Sequence, residues 1–390
     1  MFKKSLLAAG IMAAGISTVS AATYGYFDAR SVAMGNVSVA TGGLTTAAFG
    51  NPAMLAVNET NEKFVFHLGL GIAAIDNGGI IDGIDDFQAL DSTFDSQVAA
   101  SDVPGAVATL QQEIDLLNSL NNSSLVLDAN TNTALVYSGD TYTFAVNYNA
   151  RGNAGVALQN ITVPTLGGTI PAALPTADIY AIGTLTKEIG FSVARKMSFM
   201  GMNLAVGVTP KQVSVETIDY KVGIDTADVA DITDENPEDL GSFTSLDAGV
   251  VLGVTDSINL GFVAKNLIEK TLTTSATVNS PSRDINFDRL LRVGASYHNS
   301  FFTLAADLDL SETDPILNED ASKMMSVGIE LDAFDIVQLR GGIQKNIASG
   351  ASTGDLMSVG VGLWLGMNLD IAAVKSDDSL GVFVQTGFRF

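Results

Sequence analysis

From Thr131 to the C-terminus, apolar and polar residues alternate with a period of two, which places successive side chains on opposite faces of a strand. Ile258, Leu260 and Phe262 share one face, against Asn259, Gly261 and Lys265. The split recurs in Leu291, Val293 and Tyr297 against Arg292, Gly294 and Ser296, and in Phe302, Leu304 and Leu308 against Thr303, Asp307 and Asp309. Met325, Val327, Ile329 and Leu331 oppose Ser326, Gly328, Glu330 and Asp332, while Val337, Leu339 and Ile343 oppose Gln338, Arg340 and Gln344. One face of each strand is free of charge; the other mixes acids, bases and glycines. This predicts an all-β fold, an antiparallel barrel of about 14 strands with its apolar face to lipid. Asp307, Asp309, Arg292, Glu330 and Arg340 then face a wet or plugged lumen, with Val263, Trp364 and Phe383 as apolar inward positions. A soluble β-sandwich would instead bury the uncharged faces against a second sheet.

Further upstream, Glu62 to Asp76 reads as the first strand, and Ala177–Ala194 and Met202–Tyr220 as long strands joined by a short turn. Pro210 is expected to mark a bulge or the point where the second of these leaves the membrane. Thr141–Ala150 and Asn153–Val163 read as a hairpin turning at Arg151-Gly152, followed by a Pro- and Gly-marked loop over 163–176. Between about 77 and 130 the spacing turns helical, over Asp82–Leu90 and Asp102–Leu120. In the second helix Val107, Leu110, Ile114 and Leu117 line one face and Asp102 is the N-cap. This insertion is expected to pack over the barrel mouth or against the N-terminal segment. Asp225 to Leu240 is an acidic loop whose carboxylates do not follow calcium-loop spacing, and it reads as a solvated loop on the outside.

The N-terminus begins MFKKSLLAAGIMAAGISTVSAA, with Lys3 and Lys4 before a short apolar run and small residues at its end. Residues 1–21 read as a secretory signal peptide. The stretch that follows, 22–56, is built from Gly, Ala, Ser, Thr and Asn, carries only Asp28 and Arg30 as charges, and ends on Asn51-Pro52. Small side chains let a backbone pack closely in a confined space, so the segment reads as a hatch inside the barrel formed by 57–390. The competing reading is an exposed arm with a chance turn.

Composition narrows the function. A mean hydropathy of +0.29 with 38 glycines suits a lipid-facing sheet. A formal charge of -23 repels phosphates and excludes direct nucleic-acid binding. Without cysteine there is no disulfide and no thiolate ligand or nucleophile. No G-x-S-x-G or H-E-x-x-H motif is present, and His67 and His298 stand alone, so no catalytic residue, metal or cofactor is assigned. The chain is not read as an enzyme.

The last strand, Gly381 to Phe390, ends on an aromatic residue with Phe388 on the face of Val382 and Val384. This resembles the signal read by the outer-membrane barrel assembly machinery, which would make that machinery and outer-membrane lipid the first partners. The FDARSVAMGNVSVATG stretch followed by AAFGNPAMLA resembles the N-terminal region of the conjugal-transfer TraF-like outer-membrane family, itself similar to the FadL family of long-chain fatty-acid transporters. The resemblance implies a 14-stranded barrel with an N-terminal hatch around an Asn-Pro-Ala turn, here Asn51, Pro52 and Ala53, within a gate that includes Asp28, Arg30, Gly35 and Gly50. It implies passage of a hydrophobic small molecule through a lumen gated by that hatch. The alternative is a non-transporting outer-membrane component that supports conjugative transfer by contacting proteins of the conjugation apparatus.

Overall fold

The alternation closes on itself as a ring. The computed structural model describes residues 28–57, 63–121, 123–227, 237–276, 282–313, 321–333, 336–349, 355–376 and 379–390. The strands are β1 (Phe64–Asn77), β2 (Ser124–Ser138), β3 (Thr143–Thr162), β4 (Thr176–Phe199), β5 (Met202–Gly223), β6 (Glu238–Gly253) and β7 (Ile258–Lys265). They continue with β8 (Lys270–Thr273), β9 (Asp284–Phe287), β10 (Leu290–His298), β11 (Phe302–Asp309), β12 (Met324–Ala333), β13 (Val337–Asn346), β14 (Leu356–Trp364), β15 (Asn368–Lys375) and β16 (Ser379–Arg389). Among the described residues, β1–β7 and β10–β16 form a closed antiparallel barrel of 14 strands, and β8 and β9 pair as a separate hairpin. Phe66 of β1 stands opposite Phe388 of β16, so the ladder has no free edge.

The two faces separate as the alternation demands. Leu70, Ile189 and Val359 point outward and are 59%, 59% and 63% exposed, whereas Asn132, Ser192 and Ser358 on the opposite face are buried. Tight turns such as 139–142, 200–201 and 299–301 gather at one end. Aromatic rings ring that end on the outer face: Phe64 lies 5.2 Å from Tyr137 and 5.9 Å from Phe390, and Tyr297 5.7 Å from Phe302.

The wall is uneven in height. β3, β4 and β5 run for 20, 24 and 22 residues, against 8 to 11 in β10–β16. Arg151-Gly152 is not a turn: β3 passes straight through it, with Arg151 opposite Asn130 and ion-paired to Asp128 of β2. An Arg-Gly pair satisfied by a neighbouring strand has no reason to reverse the chain. Nor does Pro210 bulge β5 out of register with β4, since Gly190–Lys211 and Val193–Val208 flank it without a shift. Lacking an N–H, Pro210 drops only its local bonds. The β5–β6 irregularity falls at Val215/Glu216 instead.

Two helices, α2 (Ile80–Ala99) and α3 (Val103–Ser119), follow α1 (Ala29–Ala33) of the N-terminal segment and fill the β1–β2 connection. The insertion stops earlier than about residue 130, because β2 begins at Ser124. Asp102 does cap α3, accepting from the Gly105 N–H at 3.1 Å. The buried stripe of α3 is Ala106, Thr109, Leu110, Glu113, Ile114 and Leu117; Val107 is only half-buried, because the face is set by packing on α2.

The helical pair does not cover the mouth. Ile80, Ile84, Phe87, Leu117 and Leu120 pack on Leu125, Leu127, Leu158 and Ile179. Those strand residues lie in unbroken register with Leu135, Val146 and Ile189, and therefore on the outer face. On that face, further along β4 and β5, the Lys187–Glu216 ion pair at 2.6 Å breaks the apolar belt. The apolar residues beyond that pair are kept from water by α2–α3. The inner face of the same raised wall carries Tyr180, Ile182, Val213 and Val215, covered by Leu272, Ile285 and Phe287 of the β8–β9 hairpin.

The signal-peptide reading and residues 22–27 lie outside the described residues, as does 228–236 of the acidic loop; Glu238 to Leu240 already belong to β6.

Burial, with Asp91 and Asp95 nearby, pushes the Glu113 carboxyl up to about 7. Its folded pKa lies above the unfolded value of about 4.3, so this group's contribution is complete below that pH and is lost as pH rises through about 7. Protease protection of 80–119 should therefore fall between about pH 4.5 and about pH 7.5, and Glu113→Gln should abolish the fall. Equal protection of both proteins at both pH values would contradict this.

Candidate functional site

The interior of the ring is occupied by residues 28–57, and each small residue there has a local reason. Asp28 caps α1, accepting from the Ser31 N–H at 2.8 Å. Gly35 turns the chain with φ +72, close against the Ile343 backbone, a conformation in which a side chain would be strained. Asn51 caps the 3-10 turn Pro52–Ala56, accepting from the Ala53 N–H at 3.1 Å. Pro52 takes the first helical position, where its missing N–H costs nothing. The Asn51 amide also donates to the Val39 carbonyl at 2.8 Å and reaches those of Val250 and Phe262 at 3.5 Å, so one side chain joins the turn to its own segment and to β6 and β7. Gly50 lies against Ser38, whose Cβ would be 3.1 Å from an added methyl.

Charged and polar side chains of the wall hold this segment. Arg30 grips Glu330 with two nitrogens at 2.9 and 2.8 Å. Arg340 donates to the same carboxylate at 2.6 Å and to Asp370 at 2.6 Å; Gln385 donates to Asp370 at 2.8 Å and accepts from the Ala29 N–H at 2.9 Å. Asp307 accepts from the Ser38 and Val39 N–H groups at 2.7 and 3.0 Å. Arg292 pairs with Asp309 at 2.5 and 3.0 Å and reaches the Asn36 carbonyl at 3.3 Å. Ser358 accepts from Gly35, Ser296 donates to Ala40, and Lys265 donates to the Phe49 carbonyl. Asp307, Asp309, Arg292, Glu330 and Arg340 are thus brought together around residues 28–40, each on an inward face. The bidentate and shared contacts satisfy charges that would otherwise be costly away from water.

Close approach depends on glycine. A Cβ at Gly261 would lie 2.6 Å from the Val39 carbonyl oxygen, and one at Gly207 2.5 Å from that of Pro52. Gly249, Gly294, Gly328, Gly342 and Gly360 face Asn51, Val39, Met34, the Met34-Gly35 peptide and Ala33 in the same way. Sequence reasoning placed Gly261, Gly294, Gly328, Ser296 and Lys265 on the polar faces without giving them a part in the site, and did not single out Gly207, Gly249, Gly342, Gly360, Ser358 or Gln385. Their signal was present, since each glycine falls at an inward position of an alternating strand.

Of the remaining positions, Val263 and Phe383 are buried, while Trp364 sits half-buried at the rim with the Arg389 guanidinium 4.9 Å from its ring. Phe388 and Phe390 face outward beside Phe66 and Phe64 at the tight-turn end. His67 is buried against Phe49 and Asn132.

A profile of the family described as F plasmid transfer operon TraF protein matches residues 48–309. The chain belongs to that family. No curated protein matches this TraF-family chain. Among solved structures it is similar to the Ralstonia pickettii toluene transporter TbuX, at 15% identity and a TM-score of 0.55, covering 93% of this chain and 98% of TbuX. It is also similar to the deltaS2S3 mutant of TodX, a monoaromatic hydrocarbon channel, at 13% identity and a TM-score of 0.54, covering 94% and 99%. The monoaromatic hydrocarbon channel CymD matches at 12% identity and a TM-score of 0.51, covering 93% and 97%. The TraF-family chain therefore shares the barrel fold of these channels over nearly their whole length.

Glu330→Gln leaves Arg30 and Arg340 facing each other without their shared counter-charge. It should weaken seating of the N-terminal segment by about 3 kcal/mol, read as earlier proteolytic release of residues 28–57 from a ring that keeps its heat-modifiable gel mobility. Gly249→Val should release the Asn51-Pro52 turn through overlap alone, at about 1–3 kcal/mol, whatever the salt concentration; salt-sensitive release would count against a steric cause.

Proposed function

We propose that this TraF-family chain is an outer-membrane channel that passes a hydrophobic small molecule, with residues 22–56 as the hatch that gates it. The observation that carries the reading is a short segment wedged inside a lipid-facing ring and held mostly by side-chain hydrogen bonds, several of them from charged groups to its backbone, with one ion pair, Arg30–Glu330, among the described residues. Such contacts can be exchanged without breaking the wall. Support comes also from the shared fold with channels named for toluene and monoaromatic hydrocarbons. Export would follow from residues 1–21, and Phe388 and Phe390 would serve the barrel assembly machinery. The charged lumen does not oppose apolar passage, because the Arg30, Arg340 and Arg292 charges are matched by Glu330, Asp370 and Asp309.

Liposomes holding the full chain should take up toluene faster than empty liposomes, and Arg30→Gln, which frees one end of the hatch, should raise the rate several-fold. Uptake no faster than empty liposomes for both proteins would overturn the channel. A donor strain lacking the chain that loses plasmid transfer in that case would favour the protein-contact role in conjugation.

A further inference from the structure

The N-terminal segment is hydrogen-bonded to β6, β7, β10, β11, β12, β14 and β16. The arc of wall across the ring, β2 to β4, is different in character. On the inner face of β3, Asn149 and Asn153 flank Arg151, whose charge is matched by Asp128. Both asparagines are more than nine-tenths buried, and the Oδ1 atom of each has no hydrogen-bond partner. Below them Asn147 is satisfied, donating to Ser192, which bonds Thr209 at 2.8 Å. Above them Asn153 stands opposite Thr184, two positions from Ile182 in the apolar patch under the β8–β9 hairpin.

A buried carbonyl oxygen without a donor is costly, and two on one strand face ask for a visitor that brings one. They lie four residues apart, about 13 Å along the strand. From the mouth inward the wall therefore offers an apolar surface and then two vacant acceptors in line.

We infer that the molecule carried past the hatch is not a plain hydrocarbon but an apolar body bearing a hydrogen-bond donor, such as a phenolic hydroxyl, which Asn149 and Asn153 receive in turn. This rests on the channel reading and narrows its substrate. A plain hydrocarbon would leave both oxygens unpaired as it passed; a phenol pairs with each.

The test uses the full chain in nanodiscs and equilibrium dialysis of three matched probes: p-cresol, 4-methylanisole and toluene. They share the methyl-substituted ring, and p-cresol alone carries a donor. Retention above empty nanodiscs should favour p-cresol by about tenfold over the other two, the scale of one hydrogen bond. Asn149→Leu with Asn153→Leu should bring p-cresol down to the level of 4-methylanisole while toluene retention holds. If the Leu pair fails to reach the heat-modifiable form, the strand-favouring Val pair takes its place. Equal retention of all three, unmoved by the substitutions, would overturn the donor requirement, as expected if the two oxygens are satisfied by water only, and would leave hydrophobic passage standing. Retention of none would overturn both.

Discussion

An arginine buried inside a closed ring of strands must keep its counter-charge, and much of this structure follows from how Arg30 keeps it. Its guanidinium lies on Glu330, Glu330 is shared with Arg340, and Arg340 reaches Asp370, which Gln385 connects to the first peptide of α1. The chain of contacts begins in the N-terminal segment and passes through β12, β13, β15 and β16. Removing one member leaves a neighbour desolvated and unpaired, so the segment and that side of the barrel are energetically one unit. The same contacts are exchangeable in a way that an apolar lock would not be.

Hydrogen bonds from wall side chains to the segment's backbone require the two backbones to approach. Inward glycines on β5, β6, β7, β10, β12, β13 and β14 make that possible, since a methyl group at any of them would overlap the N-terminal segment. These inward glycines are therefore a packing requirement of the seated segment. At the opposite rim the constraint changes. Strands β3 to β5 outrun the rest of the ring, and both faces of that raised wall must be shielded from water. Helices α2 and α3 cover the outside, and the β8–β9 hairpin the inside.

Face assignment, the closed antiparallel class and the inward charges were legible because a strand's period of two is enforced by covalent geometry, whatever the strand packs against. The Asn51-Pro52 turn and the Asp102 cap were legible for a related reason: caps and turns are short-range chemistry. The misreadings were of another kind. Arg151-Gly152 resembles a turn until Asp128 of a neighbouring strand is seen to pair with it. Val107 belongs to the apolar stripe of α3 until α2 rotates that stripe toward Thr109 and Glu113. An amphipathic helix pair near a barrel mouth can cover the lumen or lean on the wall, and only the extra height of β3 to β5 decides for the wall.

The sequence by itself determined which side chains share a face, where charge is excluded, and which segment is too small-sided to form a core, because these depend on neighbours one to four residues apart. Tertiary structure alone decided which carboxylate each arginine meets, which glycines face the N-terminal segment, and which asparagines are left with an unpaired oxygen. Those relations join residues such as Arg30 and Glu330, 300 positions apart. They arise only when the closing of the ring fixes the register of every strand against the segment it surrounds.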